Sequence, residues 1–249
     1  MSATEAFFVS RTMQAMEVLA FAPSSAPQVA GALRVHPRTA RRLLNRLVDD
    51  GWVTRTEGRR RVYAPTLRIV ALAAHFAERS ELALAAREPV GRLHAATGGV
   101  AHLLIPSYRS TLCLVHRAGG PDARPQLREL APAHATAGGK LLLAHRDRWR
   151  ESVLAQPLEP VARATITDRA ALIEALAEIR ARGLATEDSE LADGLRAVAA
   201  PVRDAGGEVA GALSLAFAGD DDDPGAHAAL VRECAAEATA ALAGEDGDG

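Results

Sequence analysis

The sequence predicts an α+β chain: a small N-terminal helical domain closed by a β-hairpin, a helical linker, and a larger domain with an antiparallel sheet flanked by helices. Three observations carry this. A length of 249 residues with 48% hydrophobic content is enough for two cores. Charge is segregated, because residues 1–66 carry 10 Arg against 5 acidic residues, net +5, whereas the remainder is net −7. In the second part, strand-like and helix-like segments mix without the strict strand–helix–strand alternation of a parallel sheet. The divisions expected are 1–66, a linker over 67–97, a second domain over 98–243 and a disordered tail over 244–249.

Met13, Met16, Val18, Leu19 and Phe21 recur near helical spacing, giving a first helix over 10–21 that Pro23 ends. Val29, Ala30 and Leu33 share one side of a short second helix over 27–33. Pro37 suits the first turn of a third helix, since it has no N–H to leave unbonded, and Gly51 stops that helix near Asp50. Residues 52–55 and 60–64 hold β-favouring side chains around a polar turn with Gly58, a hairpin. Helix, short helix, turn, longer helix and hairpin is the order of a winged helix-turn-helix. Residues 66–96 read as one alanine-rich helical stretch with a break near Pro89, and Gly98-Gly99 marks the next boundary.

In the second domain, 100–105 and 111–117 pair as a hairpin, and 118–132 is a Gly- and Pro-rich loop. Residues 134–145 form a loop running into a helix. Thr167 caps a periodic helix that Gly183 ends. Strands over 183–187, 195–203 and 209–217 follow, the last two joined by Asp204-Ala205-Gly206-Gly207. A final helix over 225–242 is preceded by the acidic run 220–223.

Composition also excludes classes. Cys113 and Cys234 have no CxxC or CxxH context, so neither a disulfide framework nor a zinc site is supported. MSATEAFFVSR has an acid where a secretion signal wants positive charge, and no apolar run approaches the roughly 18 residues of a membrane span. A soluble cytoplasmic protein without membrane partners is expected. An enzyme would have to draw on His134, His116, Cys113 and Asp188, with His134 and Cys113 the main pair, yet none sits in a nucleophile elbow, a P-loop or a metal-ligand spacing. The chain reads as a non-enzyme with no cofactor. Lys140 is the one lysine among 29 basic residues, a bias that reflects coding composition.

On the third helix Ala40, Leu43, Leu44, Leu47 and Val48 form an apolar stripe at i, i+3, i+4, i+7 and i+8. Arg38, Arg42 and Asn45 fall opposite, flanked by Thr39 and Arg41. Such a face has the donors for phosphates and for guanine and adenine edges in a major groove. A lone basic helix would more simply be a solvated face. Here a helix-turn precedes it and a wing with Arg59, Arg60 and Arg61 follows, so double-stranded DNA is the partner expected. One such head reads a half-site, which implies pairing of chains on a pseudo-palindrome. Met13, Met16 and Leu19 in the first helix, with Leu67, Ile69, Val70 and Leu72 in the linker, offer apolar surface for it.

At this point the sequence resembles the isocitrate lyase regulator (IclR) family of bacterial transcription factors. The likeness runs through VHPRTARRLLNRLVDDGWV, HATAGGKLLLA and GLATEDSELADGLRAVAAPVRDAGGEVAGALSLA. It departs at Arg38, where the family commonly has a small hydroxyl residue, at Ala64, where the wing usually ends in Gly, and at Ala216-Phe217 in place of Ser-Gly. The resemblance implies a GAF-like effector-binding domain and dimers or tetramers. It carries over Ala118, Ala137, Gly138, Glu187, Leu195, Ala197 and Ser214 as pocket positions for a small organic effector such as a carboxylate or aromatic acid. The residues agree in part: small side chains at the start of a helix let an anion approach backbone N–H groups, although a tight turn would also call for glycine. Glu187 and Ser214 are the polar points of that pocket, with a solvated turn acid as the other reading of Glu187 or Asp188.

Overall fold

The computed structural model describes residues 3–56, 61–119, 130–218 and 224–245, and the chain divides into two compact units, Met1–Phe76 and Ala77–Gly249.

The first unit comprises α1 (Ala3–Phe21), α2 (Ala26–Leu33), α3 (Pro37–Asp49) and a hairpin of β1 (Val53–Arg55) with β2 (Tyr63–Pro65). Helix α1 starts well before Ser10, because alanine and glutamate in its first turns favour helix without apolar periodicity. The stripe on α3 is buried at Ala40, Leu43, Leu44 and Leu47, packed with Val29, Leu33 and Leu19, while Val48 is half-buried. Between α2 and α3 the turn depends on Arg34, which takes left-handed backbone at φ +51°. Arg11 closes the end of α2 by donating to the Leu33 carbonyl at 2.8 Å. The hairpin is tied to the helices by a two-way main-chain bridge between Ser24 and Tyr63, at 3.0 and 2.9 Å. After it, the Arg68 guanidinium lies 4.3 Å from the centre of the Trp52 ring and donates to the Asp50 carbonyl.

The stretch expected as a continuous linker is two helices, α4 (Arg68–Glu78) and α5 (Glu81–Thr97). The break falls at Arg79-Ser80, not at Pro89, because Ser80 is an N-cap whose Oγ accepts from Ala83 N at 3.2 Å. Pro89 lies inside α5, on its buried side. Nor is α5 a linker: Ala86, Val90 and Leu93 belong to the core of the second unit, and the boundary between units falls within α4.

The second unit is a six-stranded antiparallel sheet of β3 (Val100–Ser107), β4 (Ser110–Arg117), β5 (Leu130–Pro132), β6 (Ala185–Asp188), β7 (Leu195–Arg203) and β8 (Val209–Ala218), in the spatial order β5-β4-β3-β8-β7-β6. Strand β5 lies within the stretch expected as loop, and residues 120–129 of that stretch lie outside the described residues. One face packs on α5 and α9 (Ala228–Glu245), the other on α6 (Ala137–His145), α7 (Asp147–Leu154) and α8 (Arg169–Arg182). Alternation along β8 sorts the faces: Leu213, Leu215 and Phe217 meet α5 and α9, while Ala212 and Ala216 meet α6. The cap of α8 is Asp168 rather than Thr167, its carboxylate accepting from Ala171 N at 2.8 Å. Helix α9 continues through Gly244 and Glu245, which were expected in a tail, and 246–249 and the acidic run 220–223 lie outside the described residues.

Candidate functional site

The arginine face of α3 is laid open by the burial of its other side. His36, Arg38, Thr39, Arg41, Arg42 and Asn45 line a surface hollow of about 470 Å³. Arg38, Arg41 and Arg42 are exposed, and Thr39 and Asn45 half-buried. Guanidinium forks in such a hollow match phosphate oxygens and the paired acceptors of guanine. Asn45 has a second duty, since its Oδ1 accepts from the Tyr63 hydroxyl at 3.3 Å and so joins α3 to β2. Arg61 is exposed beside the hairpin, while Arg59 and Arg60 lie outside the described residues. Sequence reasoning missed His36, whose Nδ1 caps α3 by accepting from Arg38 N at 3.2 Å. The signal was its place just before Pro37.

In the second unit, Ala137, Gly138, Glu187, Leu195, Ala197 and Ser214 are all buried. Register puts Glu187 opposite Ala197 and Ala199 opposite Ser214, so these strand positions share the α6 face. Ala118 is half-buried just past the end of β4. Thr136 caps α6, its Oγ1 accepting from Gly139 N at 3.0 Å. The glycines of this motif serve packing rather than a turn: neither has positive φ. A Cβ on Gly138 would come within 2.5 Å of Leu104 Cδ1, and one on Gly139 within 2.1 Å of the Ala133 carbonyl oxygen.

Four polar side chains on this side bear on its chemistry. Lys140 Nζ pairs with Glu190 Oε1, both side chains nearly buried. Burial outweighs that attraction and still holds the Glu190 carboxyl above its ordinary value. Glu187 is 1% exposed, and burial pushes it up to about 7 although its Oε1 accepts from Leu191 N at 3.1 Å. It is therefore no solvated turn acid. Sequence reasoning missed His102, an inward position of β3 whose ring is 1% exposed and pushed by burial down to about 4.

The main pair weighed for an enzyme is engaged structurally. His134 Nε2 bonds the Glu159 carbonyl at 3.0 Å, and Cys113 Sγ donates to the Val115 carbonyl at 3.4 Å. Among the described residues no group of three His, Cys, Asp or Glu side chains is placed to hold a metal ion, and no helix is long and apolar enough to cross a membrane.

Residues 74–238 match the family model described as the C-terminal domain of the bacterial transcriptional regulator IclR. The chain belongs to the IclR family. Among IclR-type relatives, the HTH-type transcriptional regulator BhcR of Paracoccus denitrificans is 31% identical over 196 residues, 76% of this chain and 68% of that one. An IclR transcriptional regulator from Alicyclobacillus acidocaldarius superimposes with a TM-score of 0.78 at 24% identity, covering 94% of this chain and 98% of that one. An IclR homologue from Microbacterium hydrocarbonoxydans, solved as a complex with 4-hydroxybenzoate, does so at 0.74 and 24% identity over the same shares. The mixed helical and antiparallel-sheet second unit is thus the IclR C-terminal fold, and the chain is a transcriptional regulator of that family.

Proposed function

We propose that this IclR-family regulator reads a pseudo-palindromic DNA operator through α3, in a winged helix-turn-helix formed by residues 1–66, and is released or recruited by a small organic effector held in a GAF-like second domain. The observation that carries the reading is the hollow on α3, lined by Arg38, Thr39, Arg41, Arg42 and Asn45 while the opposite stripe is core. Arg61, with Arg59 and Arg60, would supply phosphate contacts from the wing. It acts as a homodimer or homotetramer. Exposed Met13, Leu67, Val70 and Leu72 support pairing of first units. Met16 and Leu19, expected to help, are instead buried in their own core. The effector site comprises Ala118, Ala137, Gly138, Glu187, Leu195, Ala197 and Ser214, of which Ala137 and Gly138 present the N–H groups of the first turn of α6 to a carboxylate. The protein works in the cytoplasm, without enzymatic activity or a cofactor.

The test is selection of duplexes from a random pool by the whole chain, followed by titration of the winner at several salt concentrations. An inverted repeat should emerge, with affinity falling steeply with salt. Arg42→Ala should weaken the selected duplex by about 1–3 kcal/mol while the second unit stays folded. Unselective recovery of sequences, or an Arg42→Ala variant that binds as well, would reject the reading.

A further inference from the structure

On the α6 face of the sheet, His102 is left with one nitrogen unserved. Its Nδ1 sits 3.1 Å from the main-chain oxygen of Ser214. A carbonyl only accepts, so Nδ1 carries the proton, and in a neutral ring Nε2 is then a bare acceptor. That ring is neutral near pH 7, as its burial dictates. Nε2 is buried and has no partner among the described residues. The neighbouring hydroxyl does not fill the gap, because Ser214 Oγ donates to the Val198 carbonyl at 3.2 Å. A buried acceptor without a donor costs free energy, which is recovered when a ligand brings the donor.

The position of this nitrogen relative to α6 gives it a meaning. Leu104 and Ala212 are register partners, and both lie against Gly138 in the first turn of α6. His102 and Ser214 are the next same-face pair along β3 and β8, two residues or roughly 6.7 Å further on. A molecule whose acceptor end meets the N–H groups at the start of α6 would carry its far end to His102. Lys140, a cation on that side, is already engaged by Glu190. A second carboxylate at the far end would face a lone pair there instead of a donor.

We propose that His102 is a specificity-determining residue of the effector site, accepting a hydrogen bond at Nε2 from a hydroxyl that the effector carries several bonds away from its carboxylate. The effector class is a hydroxylated monocarboxylate, and the assignment rests on the effector reading above.

The experiment uses the full chain and two matched pairs, 4-hydroxybenzoate with benzoate and 4-hydroxybutyrate with butyrate, titrated calorimetrically. At least one hydroxylated member should bind about tenfold more tightly than its partner, the usual worth of one neutral hydrogen bond. His102→Asn keeps a donor toward the Ser214 carbonyl but has no Nε2, and His102→Phe keeps only a ring. Both should bind the two members of a pair alike. Equal affinities within both pairs, no binding by either hydroxylated compound, or a preference that survives His102→Asn would overturn the proposal. Should His102→Phe fail to fold, the wild-type pairs and His102→Asn decide. Binding of the selected duplex by the wild type is scored separately, so a failed effector class and a failed regulator reading give different results.

Discussion

Arg34 is where a single residue bears the cost of the turn before α3. A non-glycine residue with left-handed backbone is disfavoured by about 1–2 kcal/mol, and Arg34 has φ +51°. Its side chain is exposed, so little packing would be lost with it. Arg34→Gly should therefore leave the first unit as stable or raise its stability by up to about 1 kcal/mol, measured by denaturant unfolding; a clear loss would mean the side chain has a role beyond the turn. Titration is the other matter settled residue by residue. Glu187 is held near 7 against an ordinary 4.5, so the folded chain keeps a proton that the unfolded chain gives up, and stability falls as pH rises through that window. His102, held near 4 against 6.5, works in the opposite sense: the unfolded chain takes up a proton that the folded one refuses, and stability falls as pH drops from 6.5 to 4. His134 and His145, also lowered by burial, add to the acid side, and Glu190 to the other. Glu187→Gln should accordingly shrink the decline in melting temperature between about pH 5 and 7.5, and His102→Asn the decline below about pH 6. Melting curves across pH that match wild type in both variants would show that these groups are not the ones titrating.

At the level of elements, α3 was the most legible, because one turn-residue signal at each end and a stripe at helical spacing leave little freedom. The hairpin after it was legible for the same reason. Helix α6 was read correctly in place but not in cause. Its glycines suggested room for a ligand, whereas the structure uses them to bring the helix close to Leu104 and to the Ala133 carbonyl, contacts that sequence spacing cannot reveal. The two differ in what they meet. Gly138 faces the far end of a flexible leucine, so Gly138→Ala should cost about 1 kcal/mol or less, helped by alanine's helix propensity. Gly139 faces main chain that has nowhere to go, so Gly139→Ala should cost about 3 kcal/mol or more. Similar unfolding midpoints for the two variants would contradict this. The break between α4 and α5 was misplaced because proline is the louder signal, although the serine cap at Ser80 was present in the sequence. His102 went unremarked since its value comes from Ser214, a partner 112 residues away.

For the whole molecule, segregation of charge foretold two parts, and DNA contact is assigned to the basic one. What the sequence could not disclose was where the second unit begins, because an alanine-rich helix looks alike as spacer and as core. The faces left apolar on the first unit give a further expectation: Leu67 is 83% and Val70 58% exposed. The double change Leu67→Glu, Val70→Glu should weaken binding of a full inverted repeat at least tenfold while sparing half-site contact, since charged residues there would oppose pairing. Equal loss on both duplexes, or none, would move the pairing surface elsewhere.

The sheet order also has a temporal side. Strand β3 is the first of the sheet in sequence and lies at its centre, yet its neighbour β8 is the last. During synthesis the middle of the sheet must wait until the last strand has left the ribosome, with more than a hundred residues held in the meantime. The first unit, whose contacts are local, has no such delay and is complete beforehand. On the proposed reading, the DNA-contacting unit is thus assembled on the nascent chain before the effector-binding one.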